Sequence, residues 1–131
     1  MSWIQALEAF AMGAVLVSLA DWVFFGVIAH SKYHAYPEVW RPLNRWRVPL
    51  AGIIALATPL AFTALAMTMD FWDFHDHIHL AILMWVAGPL PLLAVNGFFL
   101  KLHPAVTATH IAGWLVKFLA AAAGVIIAQM L

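Results

Sequence analysis

The side chains best suited to chemistry lie in one stretch near the middle of the chain, DFWDFHDHIH, residues 70–79. It holds three Asp and three His and neither Lys nor Arg. Imidazole and carboxylate groups are ligands for Zn, Cu or Ni. A helix beginning near Asp73 would put His75 and His79 on one face at i, i+4 and turn His77 away, whereas an extended segment would put all three His on one side. The stretch therefore predicts a divalent-metal site, with ligands drawn from Asp73, His75, Asp76, His77 and His79.

Two other interpretations of this stretch stay open. Connectors between membrane helices are short and polar, and Asp73 or Asp76 can simply cap the N-terminus of the next helix. Clustered histidines also change charge together near neutral pH, so the stretch could sense protons.

A second set of ionisable residues lies inside apolar stretches. At 1.5 Å per residue Asp21 is roughly 12 Å deep, at a level between His110 and Lys117 of the last apolar stretch, so we expect Asp21 to face these two residues. Such groups are costly in hydrocarbon unless they are paired or hydrated. They predict either an ion pair that locks two helices or a pathway for a proton, an ion or a substrate. The predicted intramembrane polar set is Asp21, Asn96, His110 and Lys117.

A third candidate group combines His30 and His34, at i, i+4, with His103. Facing imidazoles on neighbouring helices can ligate a metal or a haem, which would be bound non-covalently because the chain has no CxxCH motif. The alternative is that these histidines are interfacial and bind nothing.

The composition of the chain is that of a protein surrounded by lipid rather than by water. The chain is 66% hydrophobic and 9% charged, against about 45–50% and about 25% in soluble domains. At roughly 20 apolar residues per crossing, 131 residues suffice for four crossings and one bundle. The net charge is zero and Cys is absent, so nothing indicates nucleic-acid binding, a disulfide or a thiolate metal site.

The predicted fold is all-α: a single integral membrane domain, 1–131, that forms an antiparallel bundle of four transmembrane helices. The helices are expected at roughly 9–29, 49–69, 78–99 and 105–131, with an interfacial connector at 30–47 where Trp and Tyr alternate with basic residues. Pro59 is expected to bend the second helix. Two sets of small residues are expected to be close-packing surfaces: Ala57, Ala61 and Ala64 in the second helix, and the run 120–124 in the fourth.

Basic residues predict the orientation. Four Lys or Arg lie in the first connector and Lys101 in the third, while the second connector and both termini have none. By the positive-inside rule, both termini and the Asp/His stretch face outward, which is the periplasm for a bacterial inner membrane.

Short motifs give the chain a family resemblance. Phe24, Phe25 and Gly26 are followed by Trp40, and the third helix ends with Pro91, Asn96, Phe98, Phe99 and Lys101, with His110 beyond. In these motifs the chain resembles the uncharacterised bacterial four-helix membrane proteins of the domain of unknown function family 1761. It departs from that pattern at Trp22, which is followed by Val23 where the family has a Trp-Tyr pair. The resemblance implies a compact four-helix bundle and no particular activity.

Motifs of common enzymes are missing: there is no nucleophile elbow, phosphate loop, HExxH helix or Cys motif. The sequence therefore favours a non-enzymatic accessory or scaffold bundle in the lipid bilayer that binds a divalent metal at the outward Asp/His stretch. The first alternative is a small proton- or ion-coupled transporter that uses Asp21, His110 and Lys117. The second is a haem-holding or enzymatic bundle. Either a homodimer or a larger membrane complex fits so small a bundle.

Overall fold

The computed structural model describes residues 1–30 and 45–131, and in these two ranges the chain is helical with no strand. Four helices are long and apolar enough to cross a membrane: Trp3–Ile28, Arg47–Thr68, Phe74–Phe99 and Pro104–Met130. The prediction of an all-helical chain with four long apolar helices is therefore confirmed for the described residues. His34 and most of the predicted connector lie outside them.

Three of the four long helices are divided, and the shorter segments are named in chain order. The first comprises α1 (Trp3–Asp21) and a π-helical segment (Trp22–Ile28). The second comprises α2 (Arg47–Ala55) and α3 (Ala57–Thr68), and the third comprises α4 (Phe74–Ala87) and α5 (Pro89–Phe99). The fourth is the unbroken α6 (Pro104–Met130).

Side-chain caps explain two of the helix starts. Ser2 and Gln5 form a capping box, so the first helix begins at Trp3 rather than near residue 9. The Asp73 side chain accepts from the backbone N–H of His75, so the third helix begins at Phe74 rather than near residue 78. The alternative interpretation of Asp73 as a helix cap is thus the one observed.

Prolines account for two of the divisions. Pro59 has no N–H for the carbonyl of Ala55, and the second helix breaks at Leu56, one residue later. Pro89 and Pro91 follow the break at Gly88, whose backbone leaves the helical region at φ −121° and ψ −86°. The structure shows a short interruption of the helix at Leu56, and the bend expected from Pro59 stays a prediction.

The centre of the fold is α6, which packs against α1, α3, α4 and α5. Its closest approach is to α1: a Cβ added to Gly124 would lie 2.5 Å from the Gly13 nitrogen. Backbone therefore touches backbone at this point, which only glycine permits. Gly13 meets Gly124 and Asp21 meets Lys117, so the two helices run antiparallel.

Only one of the two expected small-residue surfaces is packed. Ala121 and Gly124 pack against Gly13 of α1, and Ala122 is buried in the core, as expected for the run 120–124. The prediction for the second helix is wrong, because Ala57, Ala61 and Ala64 are exposed. The buried side of α3 consists instead of Pro59, Phe62, Thr63 and Ala66. In lipid the rotation of a helix is set by side-chain packing rather than by removal of surface from water, and α3 turns the Phe62 ring into the core.

The Asp/His stretch, the start of α1 and the end of α6 lie at the same end of the bundle. His77 contacts Gln129, and the Met1 amino group lies 3.8 Å from Asp70. This agrees with the predicted arrangement of the two termini and the stretch, and the side of a membrane that they face remains a prediction.

Candidate functional site

An ion pair joins the end of α1 to the middle of α6. Lys117 Nζ lies 3.0 Å from Asp21 Oδ1. The Lys117 side chain is 6% exposed and that of Asp21 is 24% exposed. The structure thus brings together the two oppositely charged residues of the predicted intramembrane set. Asp21 is the more accessible partner.

The ammonium group of Lys117 has a second neighbour. Its Nζ lies 4.1 Å from the centre of the Trp114 ring, three residues earlier on α6. A cation over an indole face is attracted by the electron-rich ring, and the attraction is stronger in the absence of water. Lys117 is therefore held between a carboxylate and an aromatic face.

The carboxylate of Asp21 is less completely satisfied. Oδ1 is buried and has no aligned hydrogen-bond donor among the described residues, although Nζ is 3.0 Å away. Lys117 Nζ and Asp21 Oδ1 thus form an ion pair at short distance, but their geometry is not that of a hydrogen bond. A carboxylate accepts several hydrogen bonds when fully solvated, so Asp21 retains unused acceptor capacity.

His110 is on the same side of α6 but contacts a different residue. Its ring lies 4.6 Å from that of Phe25, tilted by 42°. Gly113 makes room for this contact, because a Cβ there would lie 3.2 Å from both Phe24 Cβ and Phe25 Cζ. The π-helical segment therefore packs into a notch of α6 formed at Gly113, next to the ion pair.

Asn96 is remote from the ion pair. Its neighbour Gly97 packs on Thr107 so closely that an added Cβ would lie 2.9 Å from the Thr107 methyl group. Thr107 precedes Lys117 by ten residues, or about 15 Å along a helix. The structure therefore places Asn96 outside the site that Asp21 and Lys117 form.

The π-helical segment is the feature that the sequence did not reveal. Its widened turn is seen in the bond from the Ala29 N–H to the Phe24 carbonyl, 2.9 Å long and five residues apart. Such segments are rare and are often found at functional sites. The only local signal is Gly26 within an otherwise bulky run, because glycine weakens an α-helix.

The structure separates the residues of the Asp/His stretch. His75 and His79 are exposed at the start of α4, whereas His77 is fully buried. His75 Nδ1 lies 3.5 Å from Asp73 Oδ1, and both side chains are exposed. Among the described residues no three His, Cys, Asp or Glu are grouped so that they could hold a metal ion. The structure thus gives no support to a metal site formed by Asp73, His75, Asp76, His77 and His79.

His77 instead takes part in a polar clasp, defined here as His77, Gln129 and the carbonyl of Phe71. Gln129 Nε2 donates to the Phe71 carbonyl at 2.7 Å, and its Oε1 lies 2.8 Å from His77 Nε2. A carbonyl only accepts, so the Gln129 amide is oriented with Oε1 toward the histidine, and Nε2 of His77 carries the proton. The clasp ties the 69–73 turn and α4 to the end of α6.

The third candidate group is only partly described. His30 is exposed at the end of the first long helix. His103 is the N-cap of α6, with Nδ1 accepting from the Ala105 N–H at 3.1 Å. One ring nitrogen of His103 is therefore engaged in capping. His34 lies outside the described residues, so the predicted ligand set of His30, His34 and His103 stays a prediction.

Comparison of the chain with protein-family models, with curated proteins and with solved structures finds no match. The resemblance to family 1761 therefore depends on its short motifs alone.

Proposed function

We propose that this chain is an integral membrane protein that acts as a non-enzymatic accessory or scaffold bundle. Four helices of sufficient length and apolar character support membrane insertion. So does the exterior, where large apolar side chains such as Trp3, Ile53, Leu83 and Phe98 are exposed. In a lipid environment these side chains lie in their preferred solvent.

The observation that carries the structural role is the enclosure of Lys117. Its charge is balanced by Asp21 and its ammonium group lies over the Trp114 ring. The two helices that the ion pair joins, α1 and α6, also make the closest backbone contact of the bundle, at Gly13 and Gly124. An ion pair in this position fixes the rotation and depth of α1 relative to α6. Removing one partner of a buried pair leaves an uncompensated charge and costs about 3–5 kcal/mol, whereas replacing both by apolar residues is often neutral.

The experiment compares Asp21→Asn, Lys117→Met and the double variant in detergent micelles. For a helix lock, each single variant unfolds at a lower temperature than wild type and the double variant recovers most of the loss. Unfolding is followed by size-exclusion chromatography after heating. Proteoliposomes with a trapped pH-sensitive dye provide the second measurement, and we expect wild type and the double variant to be equally tight to protons. Proton flux in wild type that the double variant lacks would contradict the scaffold role.

A second candidate, a proton- or ion-coupled transporter, is favoured by one observation. Asp21 is more exposed than Lys117, and its buried Oδ1 has no aligned donor. A carboxylate of this kind can accept a proton or bind a cation while Lys117 remains in place. In the same proteoliposomes this candidate requires flux that Asp21→Asn abolishes and Asp21→Glu retains, with Ser18→Ala, on the exposed side of α1, as the matched control.

A further inference from the structure

The buried side of the first long helix changes its spacing at the π-helical segment. In α1 the buried residues are Ala6, Ala9, Gly13, Val17 and Ala20, with steps of three and four. Ile28 follows Val17 by eleven residues, which is about three turns of an α-helix. A continuous α-helix would therefore bury Ile28 and expose Ala29.

The structure shows the opposite. Ile28 is 48% exposed and Ala29 is 0% exposed. The shift of one residue comes from the widened turn that joins Ala29 to Phe24. The π-helical segment thus selects which side of the chain faces the bundle where the helix ends and the connector begins.

Two contacts with α6 secure the start of this segment. Asp21 is paired with Lys117, and one turn earlier on α6 the rings of Phe24 and Phe25 fill the notch at Gly113. π-helical turns are rare compared with α-helical turns, so we expect this one to persist because tertiary contacts favour it. Gly26 makes the α-helical form of this segment less stable, because glycine is a weak α-helix former. The change from α-helical to π-helical bonding therefore costs less free energy here.

We infer that the π-helical segment is a two-state joint, and that the Asp21–Lys117 ion pair holds it in the form that buries Ala29. Loss of the pair lets the segment return to α-helical bonding, which turns Ile28 toward α6 and Ala29 outward. A change in charge at the Asp21–Lys117 pair would therefore change which residue, Ile28 or Ala29, is buried at the end of the helix. This goes beyond the scaffold role, since a helix lock can exist without a movable joint.

The chain has no Cys, so single-cysteine variants report one position each. Ile28→Cys and Ala29→Cys are labelled with a maleimide in detergent micelles, in the wild-type background and with Asp21→Asn plus Lys117→Met. The double replacement leaves no unpaired charge, so the protein stays folded. In the wild-type background position 28 is expected to react faster than position 29, and in the double variant the order is expected to reverse.

Two further backgrounds serve as controls. Asp21→Glu keeps the charge and is expected to retain the wild-type order of rates, as is Ser18→Ala, which lies on the exposed side of α1. An unchanged order in the double variant would refute the inference. Fast labelling at both positions would also refute it, because it signals general loosening rather than rotation of one segment.

Discussion

Substituting Gly124 tests the contact between α1 and α6 most directly. An alanine Cβ there would lie 2.5 Å from the Gly13 nitrogen, 2.7 Å from its Cα and 3.0 Å from the Ala9 carbonyl oxygen. All three atoms are backbone, so no side chain can rotate away and the helices must separate. Overpacking of a core usually costs about 1–3 kcal/mol, and we expect Gly124→Ala to be at the upper end of that range.

Gly52 supplies the matched control. It is also in a helix, but a Cβ there meets nothing within 4 Å. Gly52→Ala should therefore raise the free energy of unfolding by about 0.5–1 kcal/mol, because alanine has the higher helix propensity and its Cβ meets no other atom. The two variants make the same chemical change and should differ in free energy of unfolding by about 3 kcal/mol or more, with opposite signs relative to wild type.

The assay is reversible denaturation in mixed detergent micelles, followed by the near-ultraviolet circular dichroism of the seven Trp. Gly13→Ala should fall between the other two variants, since its Cβ would lie 3.1 Å from the Pro59 Cβ. A Gly124→Ala protein as stable as wild type would show that α1 and α6 do not meet as described, and the geometry of the Asp21–Lys117 pair would then also be in question.

Three other expectations follow from the polar contacts. Gln129→Leu removes both hydrogen bonds of the clasp and leaves Nε2 of the buried His77 without a partner. Stability should therefore fall by about 1–3 kcal/mol, and an unchanged thermal midpoint would contradict the clasp. Trp85→Phe removes the bond from the Trp85 indole N–H to the Ile111 carbonyl, 2.9 Å long, and should cost about 1 kcal/mol in the same denaturation assay. Protein purified without a His tag should contain no stoichiometric Zn, Cu or Ni by elemental analysis, because His77 faces Gln129; one metal per chain, lost in His75→Ala, would restore the predicted metal site.

Depth and composition were enough to predict part of this structure. Apolar stretches of the right length gave four long helices, and helical rise alone put Asp21 at the level between His110 and Lys117. A charged pair in an apolar sequence is easy to locate, since few other partners exist and the free energy of leaving either group alone in hydrocarbon is large.

The rotation of the helices was harder to predict. Where every face of a helix is apolar, the pattern of residues does not say which face is buried. The expectation of an interface at Ala57, Ala61 and Ala64 fails for this reason, and the structure buries Phe62 instead. The inward direction of His77 depended on Gln129, which is 52 residues away. The π-helical segment is held by contacts with Lys117 and Gly113 of another helix, and no local pattern encodes such contacts.

The central position of α6 has a consequence for how the molecule assembles. The helices are synthesised in chain order, and α6 follows the other three. The third long helix finds its main packing surface on α6, including the bond from Trp85 and the clasp at Gln129. Until α6 is made, the third helix lacks its main packing surface and Asp21 lacks its partner Lys117, so the three earlier helices cannot complete the bundle.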